Sequence, residues 1–534
     1  DNFKDPADPV YDVTPADPKG ELSRQENDNW SWNGKMMFYY NHVFGNHFIN
    51  ATAGGEISES KTESLSYVLN GFQLGNMHEP QFAATQARPV NVSESKTRKI
   101  GFLASVNYAY NDIYLFDGSF RLDGSSDFGS DKQFAPFWSV GAGLNIHNYD
   151  FLKGHWLISR LKLRASYGST GNVGFAPYSA ITTFQTATDA WFFTGPAASL
   201  MALGNSRLTW QTTYKLDAGF NIGLLNDKIT LEGSYYRNET EDLIDDVKIP
   251  AYSGFTSYKE NSGATLNEGF EVALTSTLFQ NKDWMVTFMA NLSSNRSKIT
   301  ELSEEMNAYN ETILAEYEKE NSMYKDVLSR PLILYYEGKS LSAIYAVRSE
   351  GIDPANGRER FVKKNGMSTY TWDANDQVVV GDTEPDAKGS FGINVAWKGI
   401  TLNAYFNYQW GGQSYNSTLA EKVENAQIST QNVDKRVLSA RWKNAGDVVP
   451  YYDLSKNPTQ NPTSRFVQDD NRLDFTSLSI GYDFSRQLIS KWKLKSLSVQ
   501  FSANDLCKWR SVKEERAINY PFARSFNFSL NVGF

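Results

Sequence analysis

The side chains most able to do chemistry in this sequence are few and poorly grouped. Asp373, Asn375 and Asp376 resemble part of a calcium loop, but the glycine and the distal glutamate of such a loop are missing. Charged residues make up 21% of the chain, yet no set of carboxylates stands out as acid, base or nucleophile. The histidines show no metal-ligand spacing; they are His42, His47, His78, His147 and His155. The sequence therefore predicts neither an enzyme nor a metal or cofactor site.

Three further features bear on common functions. Gly168, Gly171 and Gly174 follow a predicted strand rather than precede a helix, so that a phosphate-binding glycine loop is not predicted. The formal net charge of -9 argues against nucleic acid as a partner, because binding phosphates needs concentrated Lys and Arg. Cys507 is the single cysteine and has no partner for an internal disulfide.

The elements that would position any functional side chain are predicted from a period of two. In the last ten residues, Phe526, Phe528 and Leu530 alternate with small or polar residues, and Val532 and Phe534 continue the series. Successive side chains of a strand point to opposite faces, so this pattern predicts strands with one apolar and one polar face. The same alternation recurs at residues 214–224 and 401–410.

The length of the alternating segments favours a membrane. A soluble β-sandwich also alternates, but its strands average five or six residues, whereas these segments run to about ten. Ten tilted residues cross the hydrocarbon layer of a bilayer, and aromatic residues at strand ends suit the membrane interface. No run approaches the roughly 18 apolar residues that a spanning helix needs. The fold class predicted is all-β, a transmembrane antiparallel β-barrel of the bacterial outer membrane.

About fifteen strands are predicted, and their connections alternate between short turns and long loops. The long connections at 57–98, 169–213, 299–388 and 411–471 are expected to be extracellular, and the short turns periplasmic. An additional hairpin, residues 343–351 with 358–362, is assigned to the third of these loops. The predicted strands lie near residues 35–43, 47–56, 99–110, 113–123, 134–146, 159–168, 214–224, 228–238, 262–278, 284–298, 389–397, 400–410, 472–485, 496–505 and 525–534.

The parity of this count has a consequence for the organisation of the chain. If the last strand ends in the periplasm, the first strand enters from outside, and residues 1–34 are expected to be the end of an extracellular loop. Bacterial barrels have an even number of strands and begin in the periplasm. Residues 35–534 are therefore expected to be the C-terminal part of a barrel whose first strands lie on sequence outside this chain.

Several blocks of sequence resemble the SusC/RagA family of TonB-dependent outer-membrane transporters from Bacteroidota. Their order along the chain follows the order in that family. The blocks are Arg121-Leu122-Asp123-Gly124-Ser125-Ser126 with Phe128-Gly129, then Phe137 to Gly143, Leu163 to Asn172, Gly254 to Tyr258, Asn261-Ser262-Gly263, Asn267 to Glu271, Gly381-Asp382 with Pro385, and Tyr520-Pro521-Phe522-Ala523-Arg524.

The resemblance implies a 22-stranded barrel filled by an N-terminal plug, of which this chain supplies about fifteen strands and neither plug nor TonB box. It also implies uptake of a glycan or peptide oligomer, with a SusD-like surface lipoprotein as lid. Energy would come from the TonB complex through the missing N-terminal segment. A passive porin-type diffusion channel is the alternative, because about fifteen strands approaches porin size.

One aromatic loop segment is the candidate for substrate contact. Trp191, Phe192 and Phe193 lie in the loop 169–213, where aromatic rings can stack on sugar rings or on apolar peptide side chains. Loop packing or contact with the lid is the alternative role for these three residues. The sequence does not separate a glycan from a peptide as the cargo.

Overall fold

The protein is an almost entirely β-structured chain in a computed structural model. The structure describes residues 2–4, 20–72, 74, 76–77, 79–175, 177–193, 195–248, 257–317, 319, 330–426, 433, 435–453, 461–512 and 523–534. The strands are β1 (Asn2–Lys4), β2 (Glu21–Phe44), β3 (His47–Asn70), β4 (Thr85–Tyr110), β5 (Tyr114–Ser125), β6 (Phe134–Asn145), β7 (Ile158–Asn172), β8 (Thr183–Phe192), β9 (Gly195–Ala202), β10 (Gln211–Leu224), β11 (Ile229–Glu241), β12 (Ile244–Lys248), β13 (Ser257–Asn261), β14 (Ala264–Gln280), β15 (Trp284–Glu301), β16 (Ala343–Ile352), β17 (Glu359–Val362), β18 (Ser368–Thr369), β19 (Gln377–Asp382), β20 (Ala387–Trp397), β21 (Ile400–Trp410), β22 (Gln413–Tyr415), β23 (Val467–Asp469), β24 (Arg472–Asp483), β25 (Ser496–Arg510) and β26 (Ser525–Gly533).

Helices are short and lie between strands. The α-helices that lie in the described ranges include α1 (Glu304–Tyr317) and α2 (Arg486–Ile489). A π-helical turn spans Leu419–Glu424, and 3-10 turns span Pro80–Phe82, Ile146–Asn148, Ala374–Asp376, Lys435–Leu438, Ser464–Phe466 and Ser490–Trp492. No helix within the described ranges has both the length and the apolar character that crossing a membrane requires.

One antiparallel sheet dominates the described part of the chain. Its sixteen strands run in the order β1-β2-β3-β4-β5-β6-β7-β10-β11-β14-β15-β20-β21-β24-β25-β26. Each strand therefore pairs with the spanning strands before and after it, which is the up-and-down arrangement expected of an outer-membrane barrel. All fifteen predicted strands are present, as β2 to β7, β10, β11, β14, β15, β20, β21 and β24 to β26, and the short β1 is an addition.

Tight turns join the strands at one end of the sheet. Asn111 and Asp112, between β4 and β5, both adopt φ of 54°. They are the central residues of a turn within the three-residue connection 111–113, which the N–H of Ile113 closes by donating to the carbonyl of Tyr110 at 3.0 Å. A turn with both central residues in the left-handed region matches the twist of the flanking strands, and Asn and Asp tolerate that region better than most side chains. The predicted turns at residues 45–46 and 398–399 also join consecutive strands.

The strands extend farther than the alternation predicts. β2 and β3 have 24 residues each and β4 has 26, well beyond the roughly 9 to 11 residues that span a bilayer. Within the predicted loop at 1–34, residues 21–34 belong to β2, and residues 1 and 5–19 lie outside the described residues; the extracellular position of this segment stays a prediction. The predicted loop at 57–98 is likewise reduced to residues 71–84. Beyond the membrane both faces of a strand can be polar, so that the apolar signal disappears although the pairing continues.

The other long connections contain structure of their own. The loop at 169–213 holds the hairpin β8–β9, and the loop at 299–388 holds α1 and the four-stranded sheet β18-β17-β16-β19. The predicted loop hairpin corresponds to β16 and β17, which pair through Arg348 with Val362 and Ile352 with Glu359.

The sheet keeps two open edges within the described residues. β26 pairs only with β25, and residues 24–44 of β2 pair only with β3, because β1 covers no more than residues 21–23. No pairing joins β2 to β26 in the part of the chain that the structure describes. These open edges match the expectation that followed from the odd number of predicted strands.

Candidate functional site

The register of the sheet separates an apolar face from a polar face. Residues directly opposite each other on neighbouring strands share a face. Phe391, Phe406 and Phe475 lie in one such row, with ring centroids 5.0 Å and 4.4 Å apart. The opposite face at the same level carries Asn407 and Ser390. The apolar face suits lipid and the polar face suits an aqueous lumen.

Aromatic rings form a belt on the apolar face near the tight turns. The indoles of Trp284 and Trp397 stack at 5.1 Å. A second run of successive ring contacts crosses β2 to β5 and the turn after β6; its members are Tyr40, His42, Phe44, His47, Tyr110, Tyr114 and Tyr149. Amphipathic rings at this level mark a membrane–water interface.

On the polar face, long polar side chains lie against the neighbouring strands. Arg121 donates to Asp123 and to Glu56, and Arg164 lies 3.5 Å from Asp217. A Cβ on Gly269 would lie 2.1 Å from the carbonyl oxygen of Ser294 and 2.6 Å from the hydroxyl oxygen of Tyr236. The glycine therefore leaves room for the tyrosine to lie flat on the neighbouring strand, which keeps the lumen wide.

A pocket with a volume of about 760 Å³ opens on the polar face, where β2, β3 and β4 extend beyond β5. At its edge the carboxylate of Asp127 accepts hydrogen bonds from the hydroxyls of Thr97 and Ser125, both at 3.0 Å. Hydroxyl, amide and ammonium groups beside an aromatic ring can bind the hydroxyls of a sugar or the amides of a peptide. The lining residues are Ser31, Trp32, Asn33, Ser58, Glu59, Ser60, Thr97, Lys99, Asp127, Val173, Phe175 and Pro177.

A buried aromatic cluster supports this pocket. The ring of Phe128 stacks on Trp210 at 4.4 Å and meets Phe175 edge-on at 5.1 Å. Phe137 completes the cluster at 5.5 Å from Trp210. Because Phe128 directly follows Asp127, the cluster fixes the position of that carboxylate at the edge of the pocket.

The two largest connections pack together into what we call the loop platform, the described parts of residues 330–382 and 413–470. Arg465 joins them: its guanidinium donates to both carboxylate oxygens of Glu359 at 2.7 Å and to Glu424 at 2.7 Å. The backbone N–H of Val347 donates to the carbonyl of Pro462 at 3.2 Å, again across the two connections. The platform is therefore one folded unit rather than two separate loops.

The buried charges of the platform have shifted pKa values. Burial raises the pKa of Glu424, and the attraction of Arg465 only partly opposes this effect. Burial acts to lower the pKa of Arg465, but Glu359 and Glu424 outweigh it, so that the pKa of the guanidinium is raised. The guanidinium of Arg465 therefore remains charged at the centre of this cluster.

The predicted substrate-contact residues lie on the hairpin β8–β9. Trp191 and Phe192 end β8 and pair with Pro196 and Gly195 of β9, and Phe193 follows in the turn with a fully exposed ring. Phe193 is not among the described residues that line the 760 Å³ pocket. Their role in substrate contact stays a prediction.

The other chemistry-bearing residues have local roles. Asp373 accepts a hydrogen bond from the backbone of Asn375 at 2.8 Å and so begins a 3-10 turn, while Asp376 accepts from the backbone of Lys364. The His47 ring lies 2.7 Å from the hydroxyl of Tyr108, within the aromatic belt. Over the described residues, no group of three His, Cys, Asp or Glu side chains is arranged to hold a metal ion.

The sequence did not predict the residues that position the pocket and join the loop platform. Asp127 lies inside the block of residues 121–129, which the sequence offered only as part of the family resemblance. Arg465 carried no signal at all, because its partner Glu359 is 106 residues away. Asp127 gave no signal of its own either, because Asp and Ser are ordinary turn residues.

Comparison with known proteins agrees with this geometry. Residues 5–426 match the family model described as TonB-dependent receptor-like, β-barrel. TonB-dependent receptor P3 of Formosa agariphila is 25% identical over 93% of this chain and 51% of its own length. TonB-dependent receptor SusC of Bacteroides thetaiotaomicron is 28% identical over 52% of this chain and 29% of its own.

Solved structures share the fold. The RagAB peptide importer in its open-open state superposes with a TM-score of 0.79 at 23% identity, over 96% of this chain and 56% of that chain. The chain spans about half the length of the Formosa relatives that it matches.

Proposed function

The chain belongs to the family of TonB-dependent receptor-like β-barrels of the bacterial outer membrane, and from that premise we propose that it forms the C-terminal part of the wall of a nutrient importer. The observation that carries this proposal is the single sheet with a lipid-suited face, a polar lumen face and a polar pocket at one end. Such a wall guides a water-soluble cargo past the membrane without chemical conversion, in keeping with a family of transporters rather than enzymes.

The open edges support a larger barrel. An unpaired strand edge in lipid leaves backbone groups unsatisfied, at several kcal/mol per group. We therefore propose that further strands pair with residues 24–44 of β2 and with β26, and that a plug fills the lumen. The family resemblance implies a barrel of 22 strands, and the TonB complex would act through the segment that carries the plug.

The cargo proposed is an oligomer, either a glycan or a peptide. The pocket beside Asp127 offers polar groups to either, and the turn with Trp191, Phe192 and Phe193 offers rings for stacking. The loop platform is the proposed docking surface for a SusD-like lipoprotein lid. Shortening residues 299–388 or 411–471 should impair uptake and leave barrel assembly intact; loss of the folded barrel instead would show that these connections are structural.

Uptake of fluorescent oligomers by intact cells tests the proposal. Cells are supplied with a glycan set and a peptide set, and uptake of one set should depend on this protein and cease when the TonB complex is deleted. Uptake that survives that deletion would contradict active import.

Two variants address the site. Ser60→Trp should block uptake by placing an indole in the pocket, whereas Ile57→Trp, on the opposite face of β3, should not. Alanine at residues 191–193 should raise the oligomer concentration for half-maximal uptake, with Phe151→Ala, an exposed ring near the tight turns, as the control. Equal effects of the paired variants would remove these residues from the site.

A passive diffusion channel is the alternative function, because a polar, glycine-containing lumen face is also suited to an open pore. A steady conductance of the purified protein in a planar bilayer would favour the pore. A silent channel favours the gated importer.

A further inference from the structure

The connection between β24 and β25 differs in charge from the rest of the protein. Residues 484–495 contain four cations and no carboxylate, although the whole chain has a net charge of -9. The cations are Arg486, Lys491, Lys493 and Lys495. All four side chains are exposed.

Neighbouring turns at the same end of the sheet neutralise their cations. Arg160 pairs with Asp227 at 3.0 Å, and Lys398 pairs with Asp283 at 3.7 Å. Within the described residues, no ion pair joins any cation of residues 484–495 to a carboxylate. The positive charge of this connection is therefore available to a ligand.

The connection is a folded element with a fixed position. α2 and the following 3-10 turn are held by Ile489, which is 2% exposed. The N–H of Lys495 donates to the carbonyl of Gly533 in β26 at 2.8 Å, and the N–H of Phe484 donates to the carbonyl of Leu497 at 3.0 Å. These bonds hold the cations at the rim of the sheet.

Apolar side chains of the same element are left exposed. Trp492 is 57% exposed and Leu488 is 42% exposed, both within six residues of the cations. Tyr482 and Phe484, at the end of β24, meet edge-on at 4.8 Å. Exposed aromatic and aliphatic groups beside lysines are typical of a segment at the boundary between acyl chains and headgroups.

The position of the connection identifies its surroundings. It joins its strands at the same end as the tight turns 45–46, 111–112 and 398–399, and in outer-membrane barrels this end is periplasmic. The adjacent lipid layer is then the periplasmic leaflet, whose headgroups carry phosphate.

We propose that residues 484–495 form a binding site for anionic phospholipids of the periplasmic leaflet. Lys491, Lys493, Lys495 and Arg486 contact the lipid phosphate, while Trp492 and Leu488 lie among the upper acyl chains. Charge complementarity and the exposed apolar pair together select a lipid rather than a free anion. The site is independent of the cargo and of the energy source of transport.

Lipid binding by the purified full-length protein tests the site. Native mass spectrometry in detergent follows titration with a phosphatidylglycerol, and separately with a phosphatidylcholine of the same acyl chains. Each cation near a headgroup is worth about fivefold in affinity, so that K491Q/K493Q should weaken phosphatidylglycerol binding roughly 25-fold. K398Q, at the neighbouring turn, should bind as the wild type does.

Wild-type protein provides a second readout that needs no variant. Raising the salt concentration should weaken phosphatidylglycerol binding and leave phosphatidylcholine binding unchanged. Inorganic phosphate should fail to displace the phospholipid, because it lacks the acyl chains. Equal binding of the two lipids, salt-independent binding, displacement by phosphate, or an unchanged affinity of K491Q/K493Q would each overturn the proposal.

Discussion

Replacing Arg465 with alanine removes the cation that joins the two halves of the loop platform. The side chain of Arg465 is 11% exposed, and its partners Glu359 and Glu424 are 12% and 2% exposed. The variant leaves two buried carboxylates facing each other without a counterion. Removing one member of a buried ion pair typically destabilises by about 3 to 5 kcal/mol, because the remaining charge is neither solvated nor paired.

A matched control lies in the same platform. Arg360 pairs with Glu350, but the two side chains are 43% and 36% exposed. Water already solvates this pair, so Arg360→Ala should destabilise the platform far less than Arg465→Ala. The difference between the two variants isolates the effect of burial from the effect of losing an arginine.

Hydrogen exchange of the backbone amides measures the local opening of the platform. The N–H groups of Val347 and Ser349 bond across the two connections, to Pro462 and to Ser464. In R465A their protection should fall by about the 3 to 5 kcal/mol estimated above, while amides in the spanning strands remain protected. Unchanged protection at these two amides, or an equal loss in R360A, would show that Arg465 does not hold the two connections of the loop platform together.

Three further outcomes are expected. Phe406→Arg, in the apolar row of the sheet, should cost about 2 to 4 kcal/mol of folding free energy in a bilayer, and Asn407→Arg on the polar face should be mild; equal costs in reversible unfolding would contradict the assignment of the two faces. Gly269→Ala should destabilise more than Gly118→Ala, since the new Cβ would lie 2.1 Å from the carbonyl oxygen of Ser294 and 2.6 Å from the hydroxyl of Tyr236 in the first, and no closer than 3.7 Å to any atom in the second; equal thermal midpoints would contradict this. Because burial raises the pKa of Glu424 above its ordinary 4.5, its contribution to platform stability is complete below that pH and is lost as pH rises through the folded pKa; E424Q should abolish this slope in the exchange measurement, and an unchanged slope would assign it to another group.

The spanning strands were predictable because their signal is local. Alternation at residues 401–410 and 525–534 assigns each side chain to a face from its nearest neighbours alone, and the register of the sheet follows once short turns fix the pairing. The turn at Asn111 and Asp112 is likewise set by the conformations that those two residues tolerate. The sequence blocks shared with the SusC/RagA family predicted the class of protein, because their order along the chain follows the order in that family.

The lengths of the strands, the pocket beside Asp127 and the loop platform depend on tertiary structure. Residues 21–34 continue β2 although neither face is apolar, because pairing with β3 satisfies their backbone outside the membrane. Asp127 becomes part of a pocket only where Phe128 packs on Trp210, more than eighty positions along the chain. Arg465 finds Glu359 across 106 residues. Alternation with a period of two depends only on a few neighbouring residues, so it can be recognised in the sequence. A buried ion cluster depends on which loops fold against each other, and the sheet as a whole determines which loops are neighbours.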